Sequence, residues 1–434
     1  FRIKACEKDV FEMEDFSMLL SFGYDKTTLQ YNVPDENLLG VLLPNETVAA
    51  LTGEAEVQRA LQNPIGTPRL KDIVHPGEKI AIVTSDITRP MPTYAVLPYV
   101  AQELALAGVR DEDVTIVFAL GIHREMTPEE MRKAAGEEMY RRFTCRNASK
   151  DYTHLGVSQN GTPIDIFTPV AAADRIICLG NIEYHYFAGY SGGSKAIMPG
   201  VSTHDAIQAN HKRMVDERAH AGNLDTNPVR IDIDEVGSFV HIDFIVNVVL
   251  DEHKKIRHCV AGHYIEAHRA GCRLLDKMYQ VTIPEKADIV ITSPGGFPKD
   301  LNLYQAQKAL DNAKHAVRDG GVIVWLAAAG EGLGEATFEK WMLGHEKSHD
   351  MIDHINREFE LGGHKAAAIA MVLEKCRIFF VSSLSADFVR KIHLEPFATL
   401  DDAMAEAFCA MGKAAKVLAM PYGGSTLPVL ADHA

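Results

Sequence analysis

Reactive side chains crowd into one stretch of this chain, Gly180 to Met214, which reads GNIEYHYFAGYSGGSKAIMPGVSTHDAIQANHKRM. His185 and Lys195 flank a glycine-rich loop that contains Gly192 and Gly193. His211 follows on a predicted helix, with Ser202 or Thr203 as its cap. Glycine lets a backbone come close to a bound group. A lysine and two imidazoles converging on such a loop describe a cradle for a cofactor.

Smaller polar clusters lie elsewhere. SDITRPMP carries Asp86 and Arg89, GIHRE carries His123, and GGFPKDLNLYQAQKAL carries Asp300, Gln305 and Lys308. Arg89 suits a carboxylate or phosphate, because a guanidinium forks onto such groups in a way lysine cannot. Each cluster also has a plain reading. Asp86 can cap a turn, His123 can bond to backbone, and Gln305 with Lys308, three apart, can be a solvated helix face. His263 and His268 read as helix surface.

What gives the clusters weight is the set of elements that must position them. From Lys79 onward the chain alternates strand, loop and helix: KIAIVTS, DVTIVFALG and DRIICLGN are strands, followed by HIDFIVNVVL and KIRHCVAG. Helices are expected over 97–106, after the cap Thr127-Pro128-Glu129-Glu130, and over IEAHRAGCRLLDKMY. A second set begins at ADIVITS, continues through GGVIVWLAAA and helices over 350–375, and reaches RIFFVSS. Residues 1–50 read as a few strands, of which LLGVLLP (38–44) is one, and a helix is expected over 48–61. Such alternation implies parallel sheets covered by helices. The expectation is two doubly wound, Rossmann-like α/β domains. The first takes 1–268 with a returning tail at 405–434, the second takes 283–404, and the site lies in the cleft between them. Ligands of such sheets bind beyond the carboxyl ends of the strands. Asp86, Arg89, His123, His185, Lys195, Asp300, Gln305 and the loop Gly330–Gly334 all fall there.

Composition narrows the partners. With 434 residues, 47% hydrophobic and 24% charged, the chain reads as a soluble globular protein of two domains. Its 44 basic and 59 acidic residues leave a formal charge of −15, which speaks against a nucleic-acid backbone as partner. The seven cysteines (Cys6, Cys145, Cys178, Cys259, Cys272, Cys376, Cys409) form no CxxC pair, so a disulfide framework is not expected and the cytoplasm is the expected compartment. Neither a signal peptide nor a membrane-spanning run is expected. The glycine loop is no Walker motif, since Ser194 precedes Lys195 and Ala196 follows it. A hydrolytic zinc site is not expected, and the GxGxxG turn of a nicotinamide-dependent oxidoreductase is absent.

Taken in order, SDITRP, GIHRE, HYFAGYSGGSKAIMPG, the Asn210-His211 pair and GGFPKDLNLYQAQKAL resemble the nickel-pincer lactate racemase family, LarA and its 2-hydroxyacid racemase and epimerase relatives. The resemblance implies a nickel pincer nucleotide, with Lys195 joined to it by a thioamide and His211 as the protein's nickel ligand. It implies His123 and His185 as alternating bases, Arg89, Gln305 and Lys308 as substrate-binding residues, and Asp86, Thr88, Gly192 and Gly193 as cofactor contacts. The implied partners are a small 2-hydroxyacid and the proteins that build the cofactor. An aromatic residue that lactate enzymes of the family place near the substrate methyl has no evident counterpart, because Trp325 falls in a strand and Trp341 in a helix. The substrate side chain therefore stays open.

The chemistry of inversion agrees with that set. Taking a proton from a carbon beside a carboxylate builds a second negative charge, whereas taking a hydride leaves a neutral ketone. Each enantiomer presents its hydroxyl from a different side, which calls for two imidazoles that exchange protons near neutrality. A carrier that merely stored the nucleotide would need Lys195 and His211 but no paired bases.

Overall fold

In this computed structural model residues 17–431 are described. Cys6, the N-terminal stretch in which no targeting signal is expected, and the end of the expected tail lie outside them. Two six-stranded sheets dominate. The first contains, in chain order, Ile80–Ser85, Val114–Ala119, Thr144–Asn147, Arg175–Ile182, Ile242–Leu250 and Ile256–Gly262. In space they run third, second, first, fourth, fifth, sixth, the doubly wound order. Five are parallel; Ile256–Gly262 runs antiparallel to Ile242–Leu250, a departure from the all-parallel expectation. Both faces of IAIVTS are buried, as a strand between helical layers requires.

The second sheet is wholly parallel and contains Leu38–Val41, Ala287–Thr292, Val317–Leu326, Arg377–Val381, Glu395–Phe397 and Val417–Met420. Here the sequence expectation needs correction at both ends. Val417–Met420 does not return to the first sheet but pairs with Ala287–Thr292 on one side and Leu38–Val41 on the other. All four of its residues are buried, which suits a central parallel strand of either sheet, so composition alone cannot choose the partner. The N-terminal hairpin, Ser17–Tyr24 with Thr27–Pro34, follows it: Leu20, Phe22 and Val33 pack with Ile289, Val324 and Phe379. The helix expected over 48–61 is Gly53–Gln62, and the one expected from 97 already begins at Thr93. Thr127 forms the expected capping box with Glu130. No helix among the described residues is long and apolar enough to cross a membrane.

Two neighbours in the first sheet, Ile80–Ser85 and Arg175–Ile182, hand the chain to connections that depart to opposite sides. Such a reversal opens a crevice at the carboxyl ends of the two strands. The strands deliver Asp86 and Glu183 to that crevice.

Candidate active site

One cavity at this reversal is lined by Asp86, Arg89, His123, His185, Gly192, Gly193, Lys195 and His211. Eight of the eleven residues singled out from sequence therefore meet there. Thr88 does not line it but supports Asp86 from behind: its backbone N–H (3.1 Å) and hydroxyl (2.6 Å) both donate to Asp86 Oδ1. Gln305 and Lys308 lie on the exposed face of the helix Leu303–Ala313 and are not part of the lining. Asp300 is occupied elsewhere, accepting from the backbone N–H groups of Asp25 and Ala328.

The two candidate bases differ in their support. His123 sits in a turn after Val114–Ala119 and donates from Nδ1 to Asp86 Oδ2 at 2.7 Å, so Nε2 keeps its lone pair. Burial would raise the Asp86 carboxyl, but the hydrogen bonds from His123 and Thr88 outweigh it and hold the group below its ordinary range. The resemblance implies a cofactor contact for Asp86; here both its oxygens serve His123 and Thr88. His185 has no carboxylate beside it. Its Nδ1 accepts a long 3.3 Å bond from the Ala188 N–H, which puts the proton of the neutral ring on Nε2. Burial, with Lys195 and Arg89 nearby, drives its pKa well below the ordinary histidine value.

His211 closes the helix His204–His211, which Thr203 rather than Ser202 caps by accepting from the Ala206 N–H. Asn210 donates from Nδ2 to the Val229 carbonyl and to Asp232 Oδ2, both at 3.1 Å. That fixes the amide, so Asn210 Oδ1 accepts from His211 Nδ1 at 2.9 Å. The proton is thereby pinned on Nδ1 and Nε2 is free to bind a metal. Phe187 keeps order among the imidazoles, its ring centre 4.5 Å from that of His185 and 4.9 Å from that of His211.

Lys195 lies in a short 3-10 turn, Gly193–Ala196. Burial, with Arg89 and Arg230 as neighbours, lowers its pKa to about 7, so a large share of the amine is neutral at physiological pH. The glycines before it are obligatory. Gly193 has φ +61°, and a Cβ there would stand 2.9 Å from Arg230 Nη2 and from the His268 ring. Gly192 has φ +79°, and its Cβ would meet Asn247 Oδ1 at 2.7 Å.

Beneath the loop lies a buried network that sequence reasoning missed. His268, read as helix surface, is fully buried. It donates from Nε2 to the Ser191 carbonyl at 2.8 Å and accepts at Nδ1 from Arg269 at 2.9 Å. Arg230 and Arg269 pair with Asp234, and Ser194 donates to the same carboxylate at 2.5 Å. Burial would raise the Asp234 pKa, but the two arginines bring it to about 2. The helix Glu266–Tyr279 turns His268 inward toward the loop, a choice of face that periodicity cannot make without knowing what lies opposite.

From the second half of the chain, Phe359, Leu361 and His364 complete the wall. The signal that could have found them is GGHK at 362–365, a Gly-Gly pair before a histidine at the start of an alanine-rich helix. Electrostatically the cavity is one-sided. Arg89 makes no ion pair among the described residues, Lys195, His185, His211 and His364 stand around it, and the lining's one Asp is committed to His123. Such a cavity favours anions.

The lactate racemase N-terminal domain model matches residues 24–222, and the lactate racemase C-terminal domain model matches residues 282–427. The lactate racemase of Thermoanaerobacterium thermosaccharolyticum is 32% identical over 424 residues, covering 94% of this chain and 98% of the relative. That of Lactiplantibacillus plantarum is 32% identical over 417 residues, covering 93% and 98%. Among solved structures, the lactate racemase apoprotein of T. thermosaccharolyticum superposes with a TM-score of 0.85 at 31% identity, covering 95% of this chain and all of that one. A Thermotoga maritima protein shares the fold at a TM-score of 0.61 and 18% identity, covering 90% of this chain.

Proposed function

The chain belongs to the lactate racemase family, and from that premise we propose that it inverts C2 of a small 2-hydroxyacid with a nickel pincer nucleotide anchored on Lys195. The observation that carries the reading is the meeting of Lys195, His211, His123, His185 and Arg89 around a single anion-favouring cavity.

The residues present fit that cofactor. A thioamide needs a neutral amine, and Lys195 has a pKa of about 7. A ring nitrogen must be bare to ligate nickel, and His211 Nε2 is bare because Asn210 holds the proton on Nδ1. Among the described residues no group of three or more His, Cys, Asp or Glu could hold a metal, so nickel at His211 would need ligands from another source, which the sulfurs of a pincer nucleotide would supply. Lys195 and His211 would hold the group, with the Gly192-Gly193 backbone beside it. When bound, the nucleotide supplies a pyridinium carbon that takes up and returns a hydride, chemistry that no side chain offers.

Everything else falls to the protein. Arg89 receives the carboxylate through its fork and fixes C2 relative to the two imidazoles. His123, with Asp86 behind it, takes the hydroxyl proton at Nε2 of its resting tautomer. His185 rests as a donor at Nε2, and to act as a base it must give up the long bond from Ala188 and carry its proton on Nδ1. Phe187 and Phe359 exclude water from the histidines.

The test is expression together with the family's cofactor-synthesis proteins, followed by peptide mass, nickel content and chiral analysis. The expected result is a mass increment on the Lys195 peptide, nickel near one per chain, and loss of optical purity from a single-enantiomer 2-hydroxyacid. An unmodified, nickel-free chain under those conditions would favour a fold-only relationship. A loaded chain that inverts nothing would favour a nucleotide carrier.

A further inference from the structure

His364 is the one polar side chain that the second half of the chain brings to the cavity; its companions there, Phe359 and Leu361, are apolar. It sits in the first turn of the helix Gly363–Leu373 and is 7% exposed. Its Nδ1 accepts the Gly362 N–H at 3.0 Å, so the proton of the neutral ring is on Nε2. Burial and the neighbouring Lys365 lower its pKa to about 3, so the ring stays neutral. Among the described residues Nε2 has no hydrogen-bond partner. The ring is held by Phe359 (5.4 Å between centroids), Tyr186 (5.9 Å) and Phe187 (6.5 Å). Phe187 also touches His185 and His211, so the free donor lies one aromatic ring away from the reacting groups.

On the racemase reading the other titratable groups of the lining already have tasks. Arg89 takes the carboxylate, His123 and His185 exchange the hydroxyl proton, and Lys195 and His211 hold the cofactor. A nearly buried N–H donor is left over, and a methyl group placed against it would leave it without an acceptor. We propose that His364 binds the substrate side chain, donating from Nε2 to an oxygen, so that the preferred 2-hydroxyacid carries a hydroxyl or carboxylate on C3 in place of the bare methyl of lactate. This rests on the racemase reading above. Behind the ring, Lys365 donates from Nζ to the Tyr304 carbonyl at 2.6 Å, and burial lowers its pKa to about 7, so its charge does not choose between hydroxyl and carboxylate.

The decisive comparison uses cofactor-loaded protein, with nickel and peptide mass verified. The probes are single enantiomers of glycerate, malate, lactate and 2-hydroxybutyrate, the last matching glycerate in shape with a methyl for its hydroxyl. Expected is a kcat/KM for glycerate or malate about 10- to 100-fold above that for lactate and 2-hydroxybutyrate. His364→Phe should bring the ratio to within about twofold, and His364→Gln, which keeps a donor near Nε2, should restore part of it. The glycerate and malate arms separate hydroxyl from carboxylate recognition. Calorimetric titration of the same acids into wild type and both variants gives a second readout that needs no turnover. Equal or better use of lactate and 2-hydroxybutyrate by wild type, or a preference that survives His364→Phe, overturns the proposal. If the loaded protein inverts none of the acids, the racemase reading fails. The titration then decides on His364 alone, an oxygen preference lost in His364→Phe upholding the donor and no preference overturning it.

Discussion

The imidazole of His123 and the carboxylate of Asp86 are joined by a 2.7 Å hydrogen bond, while His185 across the cavity has no acid at its back. The two imidazoles are thus chemically unequal although the proposed reaction is symmetric. Asp86 holds the His123 tautomer and ring orientation, as an aspartate does for a catalytic histidine in other enzymes.

Asp86→Asn therefore should lower kcat by about 100-fold or more, because an amide can bond the wrong tautomer. The mass increment at Lys195 and the nickel content should stay as in wild type. Loss of the adduct in this variant would return Asp86 to the role of a cofactor contact.

Lys195 makes a prediction about pH. Its amine, with a pKa of about 7 against an ordinary 10.5, should react with trinitrobenzenesulfonate half-maximally near pH 7 in the cofactor-free protein, as read on the Lys195 peptide. The sign for stability follows from the same shift. Between pH 7 and 10.5 the unfolded chain holds the proton that the folded chain has released, so stability rises with pH across that window. Below pH 7 the penalty is full. Lys195→Met should accordingly stabilise the protein by roughly 1–2 kcal/mol at pH 7, and the gain should fade toward pH 10.5. Thermal melts at several pH values check it.

Asn210 is placed to matter through His211. Asn210→Leu removes the acceptor that fixes the His211 proton, and it should weaken nickel retention by about 10- to 100-fold in a chelator competition. The Lys195 adduct should survive. His211→Ala should lose nickel altogether, and full nickel in that variant would take the ligand role from His211.

At Gly193 a methyl group meets Arg230 and His268, neither of which can retreat from the network around Asp234. With φ at +61° as well, Gly193→Ala should destabilise by about 1–3 kcal/mol. It should also shift the loop enough to slow acquisition of the cofactor. A melt unchanged from wild type would show that the loop relaxes freely.

Much of this was readable from the chain, for identifiable reasons. The strands DRIICLGN and KIAIVTS announce themselves by unbroken apolar runs, and a doubly wound sheet gathers whatever follows its strands, so Asp86, His123, His185 and Lys195 could be grouped before any coordinates. Three things resisted. Strand partners are not written in a buried strand, hence the mistaken place of Val417–Met420. A helix pattern shows which residues share a face but not which face is covered, hence His268 inside where surface was expected. Distance along the chain hides the last part of the wall, since His364 lies 153 positions beyond His211 and only the short GGHK stretch marks it.

The placing of Leu38–Val41 beside Val417–Met420 has a consequence for assembly on the ribosome. Every strand of the first sheet, from Ile80 to Gly262, is made in one uninterrupted passage and can close as it emerges. Leu38–Val41 emerges before any of them, yet its partner in the sheet among the described residues, Val417–Met420, is made after every other strand of the two six-stranded sheets. That strand of the second sheet must therefore wait, unpaired, until all the others have been made, and its edge is the surface a nascent-chain chaperone would have to shield.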